Sequence, residues 1–241
     1  MIKELVSKVI PTCKNKPGGE NPIDKCLESI ALSTYKNIEI VCVEEGMERS
    51  EQRNIGIKTA KGEYILYLDD DQYVSPRLIS ECVGLMRQCS AIYIPEIIIA
   101  RGWFSKLRNW ERQFYTGTAV DCVRFFKAEN CPLFDTALRG PEDADFDNRI
   151  KGRKLISRHP LYHDDNVSLV KYLQKKAYYA QSMEYYKEKW PNDPVLNIWY
   201  RCFWIFVEDR KWQRLLRRPH FAIAMFVVIF LRGIIYTCRK Q

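Results

Sequence analysis

The sequence predicts an α/β protein: a mixed, mostly parallel sheet with helices on both faces, followed by amphipathic helices that associate with a membrane. Three features point to it. Over the first 160 residues, short apolar β-rich runs alternate with helical patterns, the order that builds parallel sheets with crossover helices. At 241 residues, 46% hydrophobic and 28% charged, the chain has room for one large domain or a domain plus a module. Disordered and collagen-like classes are excluded. The charge is also divided. Residues 1–150 carry 20 Lys+Arg against 23 Asp+Glu, a net −3, whereas residues 151–241 carry 18 against 7, a net +11. A near-neutral domain is thus followed by a basic segment suited to an anionic partner.

Strands are expected at 5–10, 38–43, 64–68, 91–99 and 119–126, where β-branched and aromatic residues cluster. Asn21 before Pro22 and Ser75 before Pro76 place a capping residue ahead of proline at the first helical position, so each starts a helix. Ser50 caps a third helix that closes at Gly62. The Gly140-Pro141 pair starts a fourth, with Glu142 and Asp143 in its first turn.

The character changes after residue 165, dividing the chain into a domain over 1–165 and a helical region over 166–241. Residues 168–190 read as one helix, with Leu169, Leu173, Ala177, Ala180 and Met183 at helical spacing among five tyrosines and five lysines. Residues 195–207 are aromatic and apolar nearly all round. A basic patch follows at Arg210, Lys211, Arg214, Arg217 and Arg218, and then eleven uninterrupted apolar residues at 221–231.

The stretch 221–238 is at the lower edge of the roughly 17–25 residues needed to span a bilayer. Arg232 inside it costs about 2.5–3.5 kcal/mol on insertion scales. Aromatic residues mixed with Arg and Lys suit a helix lying in the interface. In-plane or partial insertion is therefore the favoured placement, with a short span and a soluble helical cap as alternatives. A nucleic-acid groove has no use for eleven contiguous apolar residues, so nucleic acid is excluded as a partner.

The nine cysteines form no C-x-x-C pair, and most sit in apolar runs such as Ile40-Val41-Cys42-Val43. They read as small buried residues in a reducing compartment. The first residues have no apolar stretch of signal-peptide length. The expected location is the cytoplasmic face of the cell membrane, monotopic or peripheral.

The strongest chemical signal is Leu68-Asp69-Asp70-Asp71, three carboxylates directly after an apolar strand. That position is the carboxyl end of the strand, where open α/β sheets bind ligands. Crowded carboxylates raise one another's pKa, and a cation relieves the strain. Oxygen ligands suit Mn²⁺ or Mg²⁺, and such an ion can bridge a diphosphate. The bland alternative is a solvated acidic turn.

Further motifs surround this triplet: Val9-Ile10-Pro11-Thr12, Val43-Glu44-Glu45-Gly46, Arg53-Asn54-Ile55-Gly56, Ala60-Lys61-Gly62 and Gly140-Pro141-Glu142-Asp143-Ala144-Asp145. In this order the series resembles the family 2 glycosyltransferases, over roughly residues 5–165. The resemblance implies the GT-A fold, a Rossmann-like sheet binding a nucleotide-sugar. With its basic aromatic continuation, the chain looks like membrane-associated members that build glycolipids, such as archaeal GDP-mannose-dependent mannosyltransferases.

The resemblance also assigns roles. Pro11 and Thr12 fall where the family lines its base pocket. Glu44 and Glu45 stand where it usually has Asp-Asp before Gly, with Glu44 the expected base or ribose contact; the extra methylene leaves the base open. Asp69 and Asp71 match the D-x-D motif, Asp69 near ribose, sugar or metal and Asp71 on the metal. Asp70 is grouped with the nucleotide contacts, although alone it reads as a solvated neighbour. Arg53 approaches the nucleotide or forms a structural ion pair. Asp143 is the expected catalytic base, with Asp145 the alternative, and Glu142 orients donor or acceptor hydroxyls. His163 completes the metal shell or touches the diphosphate. Trp103 is a candidate for a mobile loop over the acceptor.

The expected function is an inverting, metal-dependent transfer of a sugar from a nucleotide donor to a lipid-linked acceptor at an anionic membrane surface. Mannose from GDP-mannose is the leading donor, with UDP-glucose close behind. A polyprenyl-phosphate acceptor, a nucleotidyltransferase and a non-catalytic relic are the alternatives.

Overall fold

The computed structural model describes residues 4–12, 22–99, 101–129, 131–165 and 167–238. The first half contains β1 (Val6–Pro11), α1 (Pro22–Ala31), β2 (Ile38–Val43), α2 (Arg49–Thr59), β3 (Tyr64–Tyr67), β4 (Gln72–Val74), α3 (Leu78–Leu85), β5 (Ala91–Tyr93) and β6 (Glu96–Ile98). Then come α4 (Trp103–Arg112), β7 (Val123–Lys127), α5 (Glu142–Arg149), β8 (Lys154–Ile156) and β9 (Leu161–His163). The last part is helical: α6 (Leu169–Tyr179), α7 (Met183–Lys189), the single turn α8 (Ile205–Val207), α9 (Trp212–Arg217) and α10 (Pro219–Cys238).

The main sheet has the order β2-β1-β3-β7-β5-β8, in which β7 alone runs against its neighbours. β1 and β3 are buried at every position, as strands covered by helices on both faces must be. One face packs Val6, Leu66, Ile92 and Phe125 against Leu78, Ile79 and Cys82 of α3. The other packs Val9, Ile65, Tyr67 and Phe126 against Phe146 of α5, which stacks on Phe134 with ring centroids 4.1 Å apart. A second sheet, β4-β9-β6, stands beside the first.

The long apolar run at 91–99 is two strands rather than one. Pro95 has no N–H for a ladder, so the run divides into β5 in the main sheet and β6 in the small one. The strand expected at 119–126 begins only at Val123, because the preceding chain is a turn in which the Asp121 carboxylate accepts from Gly117 N–H at 2.9 Å. Helix starts also differ. Glu48, with extended backbone, occupies the N-cap of α2, Ser50 lies buried in its first turn, and the helix closes at Ala60. α3 starts two residues beyond Pro76, at Leu78, whose N–H donates to Ser75 O at 3.1 Å. Cys42, expected to be buried, is exposed.

Ser168 caps α6 by accepting from Lys171 N–H. The single helix expected over 168–190 is broken by a tight turn at Ala180–Ser182. There the Ser182 hydroxyl accepts from Arg139 N–H at 2.8 Å, tying the break to the loop before α5. Trp103 opens α4 instead of lying in a loop, and its ring meets Phe221 edge-on.

α10 is the one described helix long and apolar enough to cross a membrane, by length and composition. One of its faces packs Phe221, Met225, Val228 and Ile229 against Leu107 and Trp110 of α4, Tyr172 of α6 and Phe206 of α8. Arg232 belongs to that face. It is buried and donates to Glu111 Oε1 at 2.8 Å and to the Tyr172 hydroxyl at 3.0 Å. The charge that looked like an insertion cost is thus an internal ion pair. The other face leaves Ile223, Val227, Phe230 and Ile234 exposed.

Candidate functional site

The three aspartates after β3 diverge because Asp70 and Asp71 lie in a turn, closed by Gln72 N–H donating to Asp69 O at 3.0 Å. Asp69 accepts from Arg53 Nη2 at 3.0 Å and Arg49 Nη1 at 3.2 Å. Burial alone would raise its pKa, but these guanidinium groups hold the carboxyl well below the usual range. Asp70 points elsewhere and is buried rather than solvated, accepting from Thr12 Oγ1 at 3.2 Å. Asp71 keeps Oδ1 buried without a hydrogen-bond partner, 3.5 Å from His163 Nε2.

Arg49 and Arg53 are one turn apart on α2 and reach the same carboxylate. α2 comes this close because Gly56 has no side chain: a Cβ there would lie 2.2 Å from Val9 Cγ1 of β1. Arg53 is fully buried, covers the rings of Tyr67 and Phe134, and sends Nη1 to Asp143 Oδ1 at 3.0 Å. Its Nε has no partner. Of the two expectations for Arg53, the ion pair is the one present, joining the strand-end carboxylates to those of α5.

Gly140, at φ +112°, turns the chain into α5, and a Cβ there would sit 2.4 Å from Tyr179 Cβ. Glu142 bends back to accept from Gly140 N–H, and burial together with neighbouring Asp143 pushes its carboxyl pKa up. Asp143 leaves Oδ2 without a bond among the described residues. Asp145, the alternative base, faces away into the protein. It is wholly buried and bound by Arg149, Lys189 and the Trp190 indole.

His163 ends β9, with Nδ1 2.7 Å from Glu96 Oε1 of β6. Glu96 is in turn held by Arg112 at 3.1 Å and Arg124 at 3.6 Å. Burial lowers the imidazole pKa, but Asp71 and Glu96 outweigh it and push it up to about 10. A carboxylate behind one ring nitrogen is the arrangement that orients a metal-binding histidine, and an ion between Nε2 and Asp71 would take the place of the proton held there. The orphaned Asp71 oxygen and His163 Nε2 therefore fit Mn²⁺ or Mg²⁺. Among the described residues no three His, Cys, Asp or Glu side chains are grouped closely enough to hold a metal ion together, so this chain offers two donors and leaves the other positions to a ligand or water.

Asp69, Asp71, Glu142, Asp143, His163 and Arg53 all line one cavity of about 300 Å³. Pro11, Thr12, Glu44 and Asp70 lie outside it. They gather at the ends of β1 and β2, where Gln52 Nε2 donates to Thr12 O at 3.1 Å and Glu44 O at 3.4 Å. Sequence reasoning missed Arg49, Glu96 and Tyr179, whose hydroxyl accepts from Arg49 Nη2 at 2.7 Å. Only Arg49 had a local signal, its four-residue spacing from Arg53.

The family model for glycosyl transferase family 2 matches residues 44–135. Glycosyltransferase GlyG of Streptococcus pneumoniae serotype 4 is 29% identical over 105 residues, covering 32% of this chain and 34% of GlyG. The chain thus spans about a third of the length of that curated relative. Among solved structures, mannosyltransferase PcManGT from Pyrobaculum calidifontis, in complex with GDP-Man and Mn²⁺, aligns with a TM-score of 0.60 at 14% identity. The match covers 99% of this chain and 88% of PcManGT. S. aureus TarS 1-349 aligns at 0.53, also with 14% identity, covering 98% and 87%. These structures share the fold: the mostly parallel sheet flanked by helices is the GT-A arrangement.

Proposed function

We propose that this chain is a family 2 glycosyltransferase, an inverting, metal-dependent enzyme that moves a sugar from a nucleotide donor to a lipid-linked acceptor at a membrane surface; the family match over residues 44–135 and the shared fold support it. The observation that carries the reading is the convergence of Asp71, His163, Asp69 and Asp143 on one cavity, with Arg53 bridging the last two.

Asp143 acts as the base. Arg53 fixes one of its oxygens, and the other faces the cavity to take the proton from the acceptor hydroxyl. The hydroxyl oxygen attacks the anomeric carbon from the face opposite the leaving diphosphate, so the configuration inverts. Asp71 and His163 are the residues to hold Mn²⁺ or Mg²⁺, with Glu96 orienting the imidazole. When bound, the ion neutralises charge developing on the leaving diphosphate. Pro11, Thr12, Glu44 and Asp70, at the ends of β1 to β3, suit the nucleoside half of the donor. Mannose from GDP-mannose is the favoured donor, a reading supported by the fold shared with a protein solved with that ligand.

The exposed aromatic and apolar side chains Trp199, Trp204, Trp212, Leu216, Ile223 and Phe230, beside Arg210, Arg214, Arg217 and Arg218, form the surface for anionic lipid. We place it at the cytoplasmic face, as a peripheral or monotopic contact.

Thermal melts of the full chain with GDP, UDP, CDP and ATP, each with Mn²⁺ or chelator, test the reading. A ligand at about a hundred times its dissociation constant stabilises by about 2.7 kcal/mol. A metal-dependent shift for one nucleoside diphosphate supports it and names the donor class. A shift with ATP alone would replace it with nucleotidyl transfer.

A further inference from the structure

α6 turns Tyr172, Lys175, Lys176 and Tyr179 toward the cavity, residues spaced so that they share one helical face. Its two tyrosines are tied to different partners. Tyr179 accepts from Arg49, which also holds Asp69. Tyr172 accepts from Arg232, which also holds Glu111. Seven residues of α-helix rise about 10 Å. α6 therefore runs along the cavity from the proposed catalytic carboxylates to the buried arginine of α10, and Lys176 stands about one turn from Tyr179.

Charge along this stretch is unbalanced. Arg108, Lys175, Lys176, Arg201 and Arg232 all line it, and among the described residues Glu111 is the one carboxylate bound to any of them, shared by Arg108 and Arg232. Lys176 meets the rings of Tyr172 and Tyr179 at 5.4 and 5.2 Å, but has no ion pair among the described residues. The Arg201 guanidinium likewise has no ion pair or hydrogen bond there. Burial, and then the neighbouring Arg108, Arg232 and Arg201, lower the Lys176 pKa well below the usual lysine range. Like charges gathered around a cavity are relieved by an anion.

We propose that Lys176, Arg201 and Arg232 form a seat for a phosphate group carried by the acceptor lipid. The inference rests on the glycosyl-transfer reading above and names the acceptor's chemistry. The donor diphosphate belongs beside Asp71 and His163, at the strand ends. The seat lies instead along α6 and against α10, whose outer face carries exposed Ile223, Val227, Phe230 and Ile234.

Calorimetric titration of the full chain tests the seat, with the donor site filled by saturating nucleoside diphosphate and Mn²⁺. The probes are a medium-chain alkyl phosphate, the matching alcohol and inorganic phosphate. The alkyl phosphate is expected to bind and the alcohol not. Lys176→Met and Arg201→Gln should each weaken it about tenfold or more, the scale of one lost charged hydrogen bond. Lys176→Arg should retain it, and the nucleotide affinity of all three should stay within about twofold of the parent's. Melting curves establish that each variant is folded, and either of the two weakening variants suffices. Inorganic phosphate binding as tightly as the alkyl phosphate would overturn the lipid-borne source. Weakening of the nucleotide instead would assign the cations to the donor and overturn the proposal. Nucleotide binding without any alkyl phosphate binding overturns the seat alone, whereas a parent protein that binds no nucleotide overturns the glycosyl-transfer reading and the seat with it.

Discussion

Arg53 Nη1 lies 3.0 Å from Asp143 Oδ1, ninety positions away in sequence, while Nη2 of the same guanidinium holds Asp69. One buried cation therefore sets the distance between the strand-end carboxylate and the proposed base. Its planar fork reaches both, and a lysine ammonium does not. Arg53→Lys is expected to leave a folded protein with kcat reduced about a hundredfold, the scale for misplacing a reacting group. Arg53→Met leaves Asp143 without its cation and Asp69 with Arg49 alone, and should cost about 3 kcal/mol of stability. Melting curves and steady-state rates check both; a lysine variant with full activity would remove Arg53 from the site's machinery.

Asp143→Asn keeps the shape of the side chain and removes the base. Turnover should fall by about 10²–10⁴, with nucleotide binding and melting temperature nearly unchanged. Asp145→Asn should show the opposite pattern, a lower melting temperature because Arg149 loses its carboxylate and Lys189 keeps only Asp135, with the donor affinity kept. Full activity in the Asp143 variant would indicate an acceptor whose nucleophile is already ionised, such as a phosphate.

Removing the metal, or its carboxylate, should have the same effect on ligand binding. Chelator and Asp71→Ala are each expected to abolish the thermal shift given by the nucleoside diphosphate with Mn²⁺. Glu96→Gln, which removes the charge behind His163, should weaken Mn²⁺ about 10–100-fold without touching a ligand directly. Metal titration followed by melting temperature reads both effects, and an unaltered Mn²⁺ response in Asp71→Ala would rule out that carboxylate as a ligand.

Acid stability should report the pair that seats α10. Burial opposes ionisation of Glu111, but Arg108 and Arg232 outweigh it and hold the carboxyl at about 2, against an ordinary 4.5. A depressed carboxyl pKa contributes stability that is fully present above the ordinary value and is lost as pH falls from about 4.5 to about 2. The contribution is on the order of 3 kcal/mol. Urea titrations across this range should show a slope that flattens in Glu111→Gln, and an unchanged slope would mean the pair adds no acid sensitivity.

The sheet and the triplet were legible because their signals are local: short runs rich in β-branched and aromatic residues for β1, β2 and β3, and carboxylates placed directly after one of them. The first-turn acids of α5 followed from Gly140-Pro141 in the same way. β4, β8 and β9 have three residues each, too few to show an alternation. What no window could show was partnership. Glu96 looks like an ordinary strand residue until β9 brings His163 beside it. Asp145 and Asp143 share one acidic stretch and separate only when α5 turns them to different sides. Arg232 was weighed against lipid because its counter-ion, Glu111, is 121 residues away.

The bond between Arg49 and Tyr179 joins residues 130 apart, and its consequence lies in biosynthesis. All three strands that end at the proposed donor site precede residue 70 and can emerge from a ribosome early. The wall that completes the cavity is supplied by α6 and α10, which follow these strands in the chain. A nascent chain therefore carries its acidic triplet with no enclosed chamber around it until those helices have followed. The order of translation itself withholds the finished site until the surface proposed to meet lipid has also been made.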